Sequence, residues 1–228
     1  MTANDSGSER YERKFRLPAD QAVEAECLIR INNAAFHEIY QPRYVNNLYF
    51  DDSDLSCYRA NLNGDTHRVK FRTRWYGTLY GRIEQPIFEM KIKEGLLGRK
   101  QTNPLPALEF ASNADAPLAA PALDSIQQTC PAYCAWNLSP VLLNRYARRY
   151  YLSADRSIRM TLDSGIRFYS VGRLGIGSMR WASDQDDCIL ELKSRPEDEE
   201  RARAVAQDFP FRLSKFSKYV EGIERLMV

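Results

Sequence analysis

The sequence predicts a mainly β fold of the α+β class: a closed eight-stranded antiparallel β-barrel with a basic interior, flanked by helices. Three observations support this prediction. Segments of alternating polar and apolar residues, typical of strands, recur along the chain with mostly short turns between them. The charges on those segments are mostly positive, and four amphipathic segments are available to cover the apolar outer faces.

The first half of the chain supplies five predicted strands and two predicted helices. Residues 1–9 are small and polar, which predicts a disordered tail. The strands are predicted at residues 10–15, 44–52, 67–77, 87–95 and 97–102. One helix is predicted at 19–31 after Pro18, and another at 53–62, with Ser53 as N-cap and Asn63-Gly64 as the stop.

The second half begins with residues 103–140, which are rich in Pro, Ala and Asn. For this region we predict one short helix packed outside the main sheet. Strands resume at 141–152, 157–163, 166–171 and 187–194, and helices are predicted at 197–208 and 215–227. Residues 10–228 are thus expected to form one domain.

The charged side chains of these strands fall into rows, because residues two apart in a strand share a face. The set contains eleven cations and four carboxylates, in a chain whose net charge is only +2. The cations are Arg10, Lys14, Arg68, Lys70, Arg72, Arg74, Lys91, Lys93, Arg148, Arg159 and Lys193, and the carboxylates are Glu12, Glu89, Asp163 and Glu191. Solvated faces usually mix signs, and like charges on paired strands are destabilising. This excess predicts a bound polyanion.

Composition excludes several classes of protein. A net charge of +2 argues against a general nucleic-acid binder. Five cysteines without repeated spacing predict buried free thiols in a reducing compartment, and Cys130 and Cys134 have no partner pair for a zinc site. The sequence has no signal peptide and no apolar stretch long enough to form a transmembrane segment, so we expect a cytoplasmic protein.

Two types of catalytic site are also excluded. No Gly-rich phosphate-binding loop ending in Lys-Ser/Thr is present. With only His37 and His67 as histidines, no Ser-His-Asp arrangement is plausible.

Eight short segments, in order, resemble the VTC domain, the catalytic domain of the vacuolar transporter chaperone polyphosphate polymerase. They are YERKF (11–15), LYFDD (48–52), KFRTRWYG (70–77), FEMKIKEG (88–95), PVLLNRYARRYY (140–151), IRMTLD (158–163), ILELKS (189–194) and KFSKYVEG (215–222). That domain belongs to the triphosphate tunnel metalloenzymes, a CYTH-like superfamily that also contains adenylate cyclases and thiamine triphosphatases. The resemblance implies an eight-stranded antiparallel tunnel.

The resemblance also implies an activity: transfer of the ATP γ-phosphate to a growing polyphosphate chain, with Mn²⁺ or Mg²⁺. The family's basic and polar phosphate-binding positions correspond to Lys14, Arg72, Arg74, Lys91, Lys100, Tyr146, Arg148, Arg159, Ser217 and Lys218, and its metal-binding glutamate corresponds to Glu191. The face pattern adds Lys70, Lys93 and Lys193 as substrate-binding candidates, and Glu12 and Glu89 as further candidate metal ligands.

These residue types suit phosphoryl transfer, which depends on positioning and charge neutralisation. Arginine offers a planar fork to phosphate oxygens, and lysine a compact charge. Two alternatives stay open: a hydrolase of inorganic triphosphate or nucleoside triphosphates in the same tunnel, and a non-catalytic polyphosphate or nucleotide sensor. Glu12 and Glu89 have a structural alternative as ion-pair partners of tunnel arginines, and Tyr146 has one as a core residue.

Overall fold

The structure is a computed structural model, and it describes residues 10–95, 97–110, 120–171, 181–184 and 187–227. The predicted tail at residues 1–9 lies outside this part of the chain. The strands are β1 (Tyr11–Pro18), β2 (His37–Asp51), β3 (His67–Tyr76), β4 (Gly81–Ile83), β5 (Ile87–Glu94), β6 (Leu97–Pro104), β7 (Leu108–Phe110), β8 (Ser139–Leu152), β9 (Ile158–Ser170), β10 (Trp181–Asp184) and β11 (Asp187–Ser194). The helices are α1 (Ala22–Ile31), α2 (Ser56–Asn63), α3 (Ala120–Thr129), α4 (Glu199–Gln207) and α5 (Lys218–Met227).

One antiparallel sheet dominates the fold. Its strand order is β1-β11-β9-β8-β2-β3-β5-β6, with β10 added beside β9, and β4 pairs with β7 in a small separate sheet. The chain is therefore mainly antiparallel β with flanking helices, as the sequence predicts. Residues 103–140 contribute β7 and α3, and β7 pairs outside the main sheet.

The main sheet is not closed by a continuous ladder, which corrects the prediction of a closed barrel. Its edge strands are β1 and β6, and among the described residues the backbone pairing between these two edges is a single antiparallel bridge of Arg10 with Gly98. A side-chain contact spans the same gap, because Lys91 Nζ of β5 lies 2.8 Å from Glu12 Oε1 of β1. Side chains therefore join the two edges where a ladder does not.

Several local predictions differ from the structure. Strand β2 begins at His37 rather than at residue 44, and the short strands β4, β7 and β10 are not among those predicted. The predicted strands 157–163 and 166–171 form the single strand β9. Gly165 takes a φ of +59°, in the left-handed region, where the register with β8 shifts by a bulge, so the chain bends without leaving the sheet. Ser53 does not cap α2. The carboxylate of Asp51 accepts the backbone N–H groups of Cys57 and Tyr58 instead.

An apolar cluster holds helices α1 and α4 to the sheet. It joins them to β1, β9 and β11 through buried residues such as Phe15, Leu190 and Ile29. This packing matches the prediction that helices cover the apolar outer face of the sheet.

Helix α5 departs from that prediction, because it packs on the concave, charged side of the sheet. Gly222 lies directly against Leu142 and Phe168, which share the face of Tyr146 and Arg148. A Cβ at position 222 would come within 2.6 Å of both side chains, so this approach requires glycine. α5 therefore fills one end of the concave space.

Candidate active site

A cavity of about 100 Å³ lies on the concave face, bounded by six strands and the start of α5. Its cationic lining residues are Lys14, Lys70, Arg72, Arg74, Lys91, Arg148, Lys193 and Lys218. Among the described lining residues Glu191 is the one carboxylate, and Tyr49, Tyr146, Ser217 and Tyr219 add hydroxyl groups. We call this space the inner cavity.

The structure brings most of the predicted site residues together there. Of the predicted catalytic set, Lys14, Arg72, Arg74, Lys91 and Arg148 line the inner cavity. Of the predicted binding and metal sets, Lys70, Tyr146, Lys193, Ser217, Lys218 and Glu191 do so. Arg159 lies opposite Lys193 in the β9–β11 register, on the same face, but does not line the inner cavity. The functional role of each residue stays a prediction.

Glu89 holds the arginines of β3 in place. It is 3% exposed, and its Oε2 accepts a hydrogen bond of 2.6 Å from Arg72 Nε. Lys100 Nζ lies 3.1 Å from the other carboxylate oxygen, Oε1, and Arg74 Nε lies 3.9 Å from Oε2. Burial alone would raise the pKa of Glu89, but Arg72 and Arg74 hold it well below the usual range. The carboxylate stays ionised and fixes the arginines.

Asp163 does the same for the opposite wall. It is fully buried, and its Oδ2 accepts hydrogen bonds of 2.6 Å from both Arg148 Nη2 and Lys218 Nζ. Burial acts to raise its pKa, and Arg148 and Lys218 reverse that effect. The sequence predicts Asp163 to lie on this face but gives it no role in the site. Its two partners lie on different elements, and no spacing along the chain indicates that they meet.

Glu191 and Glu12 share two lysines. Lys193 Nζ lies 3.4 Å from Glu191 and 3.9 Å from Glu12, while Lys14 Nζ lies 3.7 Å and 3.9 Å from the same two carboxylates. Burial and Glu191 act to raise the pKa of Glu12, but Lys91, Lys193 and Lys14 hold it at about 2. Both carboxylates are therefore ionised at neutral pH.

Glu191 fits a divalent cation of the Mg²⁺ type better than Glu89 does, because its lysine contacts are 3.4 and 3.7 Å long. Glu12 is the second candidate ligand, although both of its oxygens also accept hydrogen bonds from Lys91 at 2.8 and 2.9 Å. Such ions are commonly held by one or two carboxylates together with substrate phosphates, without a cage of protein ligands. Accordingly, the described residues contain no cluster of three or more His, Cys, Asp or Glu side chains that could hold a metal alone. Glu89 is occupied by Arg72, Arg74 and Lys100, a geometry that favours the role of an ion-pair partner.

Lys70 is the cation of the inner cavity that lacks a carboxylate within ion-pair distance among the described residues. Its Nζ lies 2.7 Å from Ser217 Oγ, which also accepts the backbone N–H of Val220 at 3.3 Å. Burial and the neighbouring charges of Lys14, Lys91 and Arg72 lower the pKa of Lys70 well below its ordinary value. An anion that entered the cavity would relieve this repulsion.

Aromatic residues complete the walls. Tyr146 is 1% exposed, and Lys218 Nζ lies 4.6 Å from its ring centre. Burial acts to raise the pKa of Tyr146, but Arg148 and Arg74 outweigh it and lower the pKa. Sequence reasoning missed Tyr49 and Tyr219, whose rings stack with centres 5.1 Å apart. Tyr49 lies in a strand and Tyr219 in a helix, each among apolar residues, so the sequence pattern indicates core positions and not a place at the site.

A second, wider cavity of about 730 Å³ adjoins the first. The two share Lys14, Lys70, Lys91, Phe216 and Ser217 as lining residues. The wider cavity, which we call the outer cavity, also contains Glu12 and the cations Arg68, Lys93 and Lys215. Within the described ranges, no carboxylate lies within ion-pair distance of these three cations. The lining of the outer cavity also includes the carboxylates Asp65, Glu221 and Glu224. A path on which cations outnumber carboxylates thus leads from the inner cavity past α5.

This fold and this cavity define a class of protein: an antiparallel sheet with a basic, anion-accepting concave face. The family profile of the VTC domain matches residues 9–227. The chain therefore belongs to the VTC domain family. No curated protein matches its sequence.

Three of the solved structures with related folds come from two bacteria and an archaeon. A proposed adenylate cyclase of Vibrio parahaemolyticus has a TM-score of 0.53 and 14% identity, and the match covers 96% of this chain and 99% of that one. A proposed adenylate cyclase of Bacillus halodurans has a TM-score of 0.51 and 17% identity, covering 94% and 98%. The PH1819 protein of Pyrococcus horikoshii OT3 has a TM-score of 0.53 and 10% identity, covering 94% and 98%. At these identities the likeness shows the fold alone.

Two further expectations can be compared with the structure. None of the described helices has the length and apolar character needed to span a bilayer. The five cysteines are unpaired, but Cys27 and Cys134 are exposed, whereas burial of all five was expected.

Proposed function

We propose that this protein is a metal-dependent phosphotransferase that moves the γ-phosphate of ATP onto a growing polyphosphate chain. The observation that carries the proposal is the convergence of eight cations from β1, β3, β5, β8, β11 and α5 on one small cavity that only one carboxylate lines among the described residues. Within the part of the chain that the structure describes, the eight cations share only four carboxylates within ion-pair distance, namely Glu12, Glu89, Asp163 and Glu191. Burying the remaining positive charge is unfavourable unless an anion neutralises it.

A phosphate chain suits this cavity in charge and in geometry. The guanidinium groups of Arg72, Arg74 and Arg148 are fixed by Glu89, Asn47 and Asp163 before any ligand arrives. Donors fixed in advance contribute to phosphoryl transfer because they need no reorganisation when charge develops. Five lysines, on β1, β3, β5, β11 and α5, add point charges, so the site is complementary to a triphosphate.

The carboxylates of Glu191 and Glu12 would hold a Mn²⁺ or Mg²⁺ ion together with the phosphate oxygens. A divalent ion supplies further neutralisation of charge on the transferring phosphoryl group. Lys14 and Lys193, which now contact both carboxylates, would then be released to contact phosphate.

The outer cavity favours a polymerase over a hydrolase. A hydrolase of short substrates needs the inner cavity alone, whereas a polymerase must also hold phosphates that have already passed the site of transfer. Arg68, Lys93 and Lys215 lie on the path out of the inner cavity and have no carboxylate partners among the described residues. Together with Lys70 they would neutralise a longer chain.

The experiment is incubation of the purified protein with ATP and Mn²⁺, with gel analysis for polyphosphate and a parallel assay for free phosphate. We expect a ladder of polyphosphate, and we expect Lys218→Ala to shorten or abolish it because Lys218 lines the inner cavity. Release of free phosphate without any chain would instead support a triphosphatase. Binding of ATP without turnover would support a sensor.

A further inference from the structure

An arginine enclosed by three tyrosines lies on the concave face outside both cavities. The guanidinium carbon of Arg43 is 4.2 Å from the ring centre of Tyr76 and 4.9 Å from those of Tyr40 and Tyr150. The rings of Tyr40 and Tyr150 meet edge to face, with centres 5.4 Å apart. We call these four residues the Arg43 cluster.

The Arg43 cluster is open to a ligand. Tyr40 is 48% exposed and Tyr76 is 40% exposed, which is unusual for rings this close to a basic cavity. The Nε of Arg43 is buried and has no hydrogen-bond partner. Among the described residues, no carboxylate lies within ion-pair distance of Arg43. The cluster therefore combines accessible aromatic surface with an uncompensated cation.

Its position relates it to the inner cavity. Tyr76 continues the row of Arg72 and Arg74 along the same face of β3, and Arg43 lies opposite Arg148 in the register of β2 with β8. The outer cavity adjoins the other end of β3, at Arg68 and Lys70. From Lys70 to Tyr76 the strand rises about 20 Å. The Arg43 cluster and the outer cavity thus adjoin opposite ends of the phosphate-binding row.

We infer that the Arg43 cluster binds the nucleobase of a nucleoside triphosphate whose phosphates occupy the inner cavity, with the base stacked on the exposed ring of Tyr76. This inference rests on the proposed function. Aromatic rings and guanidinium planes stack with the faces of all bases, and they do so without reading hydrogen-bonding edges. The site therefore favours nucleotides over inorganic triphosphate but discriminates little among bases.

The test compares three ligands by calorimetry in the presence of Mg²⁺: the β,γ-imido analogue of ATP, which resists phosphoryl transfer, ribose 5-triphosphate and tripolyphosphate. We expect Tyr76→Ala to weaken binding of the ATP analogue by roughly tenfold. It should leave tripolyphosphate and ribose 5-triphosphate binding unchanged. Tyr76→Phe keeps the ring and should keep the affinity.

Tyr44→Ala is the matched control. Tyr44 is 49% exposed and its ring also covers an arginine, Arg145, at 4.0 Å, but it points to the opposite face of β2. We expect no change with any ligand for this variant.

The inference is overturned if Tyr76→Ala weakens all three ligands equally, because the ring would then act only through the phosphate site. It is also overturned if no ligand is affected, or if ribose 5-triphosphate is weakened as much as the ATP analogue. Failure of the wild-type protein to bind tripolyphosphate would instead refute the proposed function. The two failures are therefore distinguishable.

Discussion

Replacement of Asp163 by Asn tests whether the basic cavity is held together by a few buried carboxylates. Asp163 is fully buried and contacts two cations, Arg148 and Lys218, each through a hydrogen bond of 2.6 Å to Oδ2. Removing one partner of a buried ion pair typically costs about 3–5 kcal/mol, because the remaining charge is left uncompensated. For a chain of this size that loss corresponds to a fall in Tm of roughly 6–20 °C.

The assay is thermal unfolding with and without tripolyphosphate. The polyanion supplies negative charge beside Arg148 and Lys218, so it should restore part of the stability lost in Asp163→Asn. We therefore expect tripolyphosphate to raise the Tm of the variant more than that of the wild type. Glu84→Gln serves as the control, because Glu84 forms an exposed ion pair with Arg82 and such pairs contribute about 0–1 kcal/mol.

Two results would refute this reasoning. A fall in Tm no larger than that of Glu84→Gln would show that Asp163 does not compensate buried charge. A large fall that tripolyphosphate leaves unchanged would show that the ligand does not reach Arg148 and Lys218.

Three further changes have defined outcomes. Gly222→Ala should lower the free energy of unfolding by up to about 2 kcal/mol in denaturant titration, since an overpacking cost of about 1–3 kcal/mol is offset by a helix-propensity gain of about 1 kcal/mol; a higher midpoint in the variant would contradict the close packing of α5. Burial, with Lys14 and Lys193, outweighs Glu12 and lowers the pKa of Lys91 to about 8, so Lys91 loses its charge as pH rises through that value. Affinity for tripolyphosphate, measured in one buffer, should therefore fall between about pH 7 and pH 9. Lys91→Arg should make the affinity less dependent on pH, because arginine keeps its charge in this range. An identical pH profile in the variant would exclude Lys91 as the group responsible. Glu191→Gln should abolish metal-dependent turnover while binding of tripolyphosphate persists or tightens, and wild-type turnover in this variant would remove Glu191 from the metal site.

The sequence is sufficient to predict most strands of the main sheet and the face that carries the charges. Alternation along β3, for instance, separates Arg72 and Arg74 from the buried Phe71 and Trp75. The prediction succeeds because the two-residue alternation of side chains depends only on neighbouring residues of the same strand. Most residues of the inner cavity follow from it.

Features that depend on contacts between distant segments could not be predicted in this way. The sequences of β1 and β6 do not indicate how far these edge strands pair, and in the part of the chain that the structure describes they meet at one backbone pair, Arg10 with Gly98. The amphipathic pattern of α5 indicates an apolar face but not the side of the sheet on which it packs. The pairing of Asp163 with Arg148 and Lys218 likewise requires knowledge of the register between β8 and β9 and of the position of α5.

Because α5 follows every strand of the main sheet in sequence, its placement has a consequence for synthesis on the ribosome. Until α5 emerges, Leu142 and Phe168 on the concave face lack the helix that covers them, and Asp163 lacks Lys218. The nascent sheet therefore exposes apolar surface, which is a condition that promotes aggregation and chaperone binding. Chains that stop before residue 218 should accordingly be less soluble than their length and charge alone would indicate.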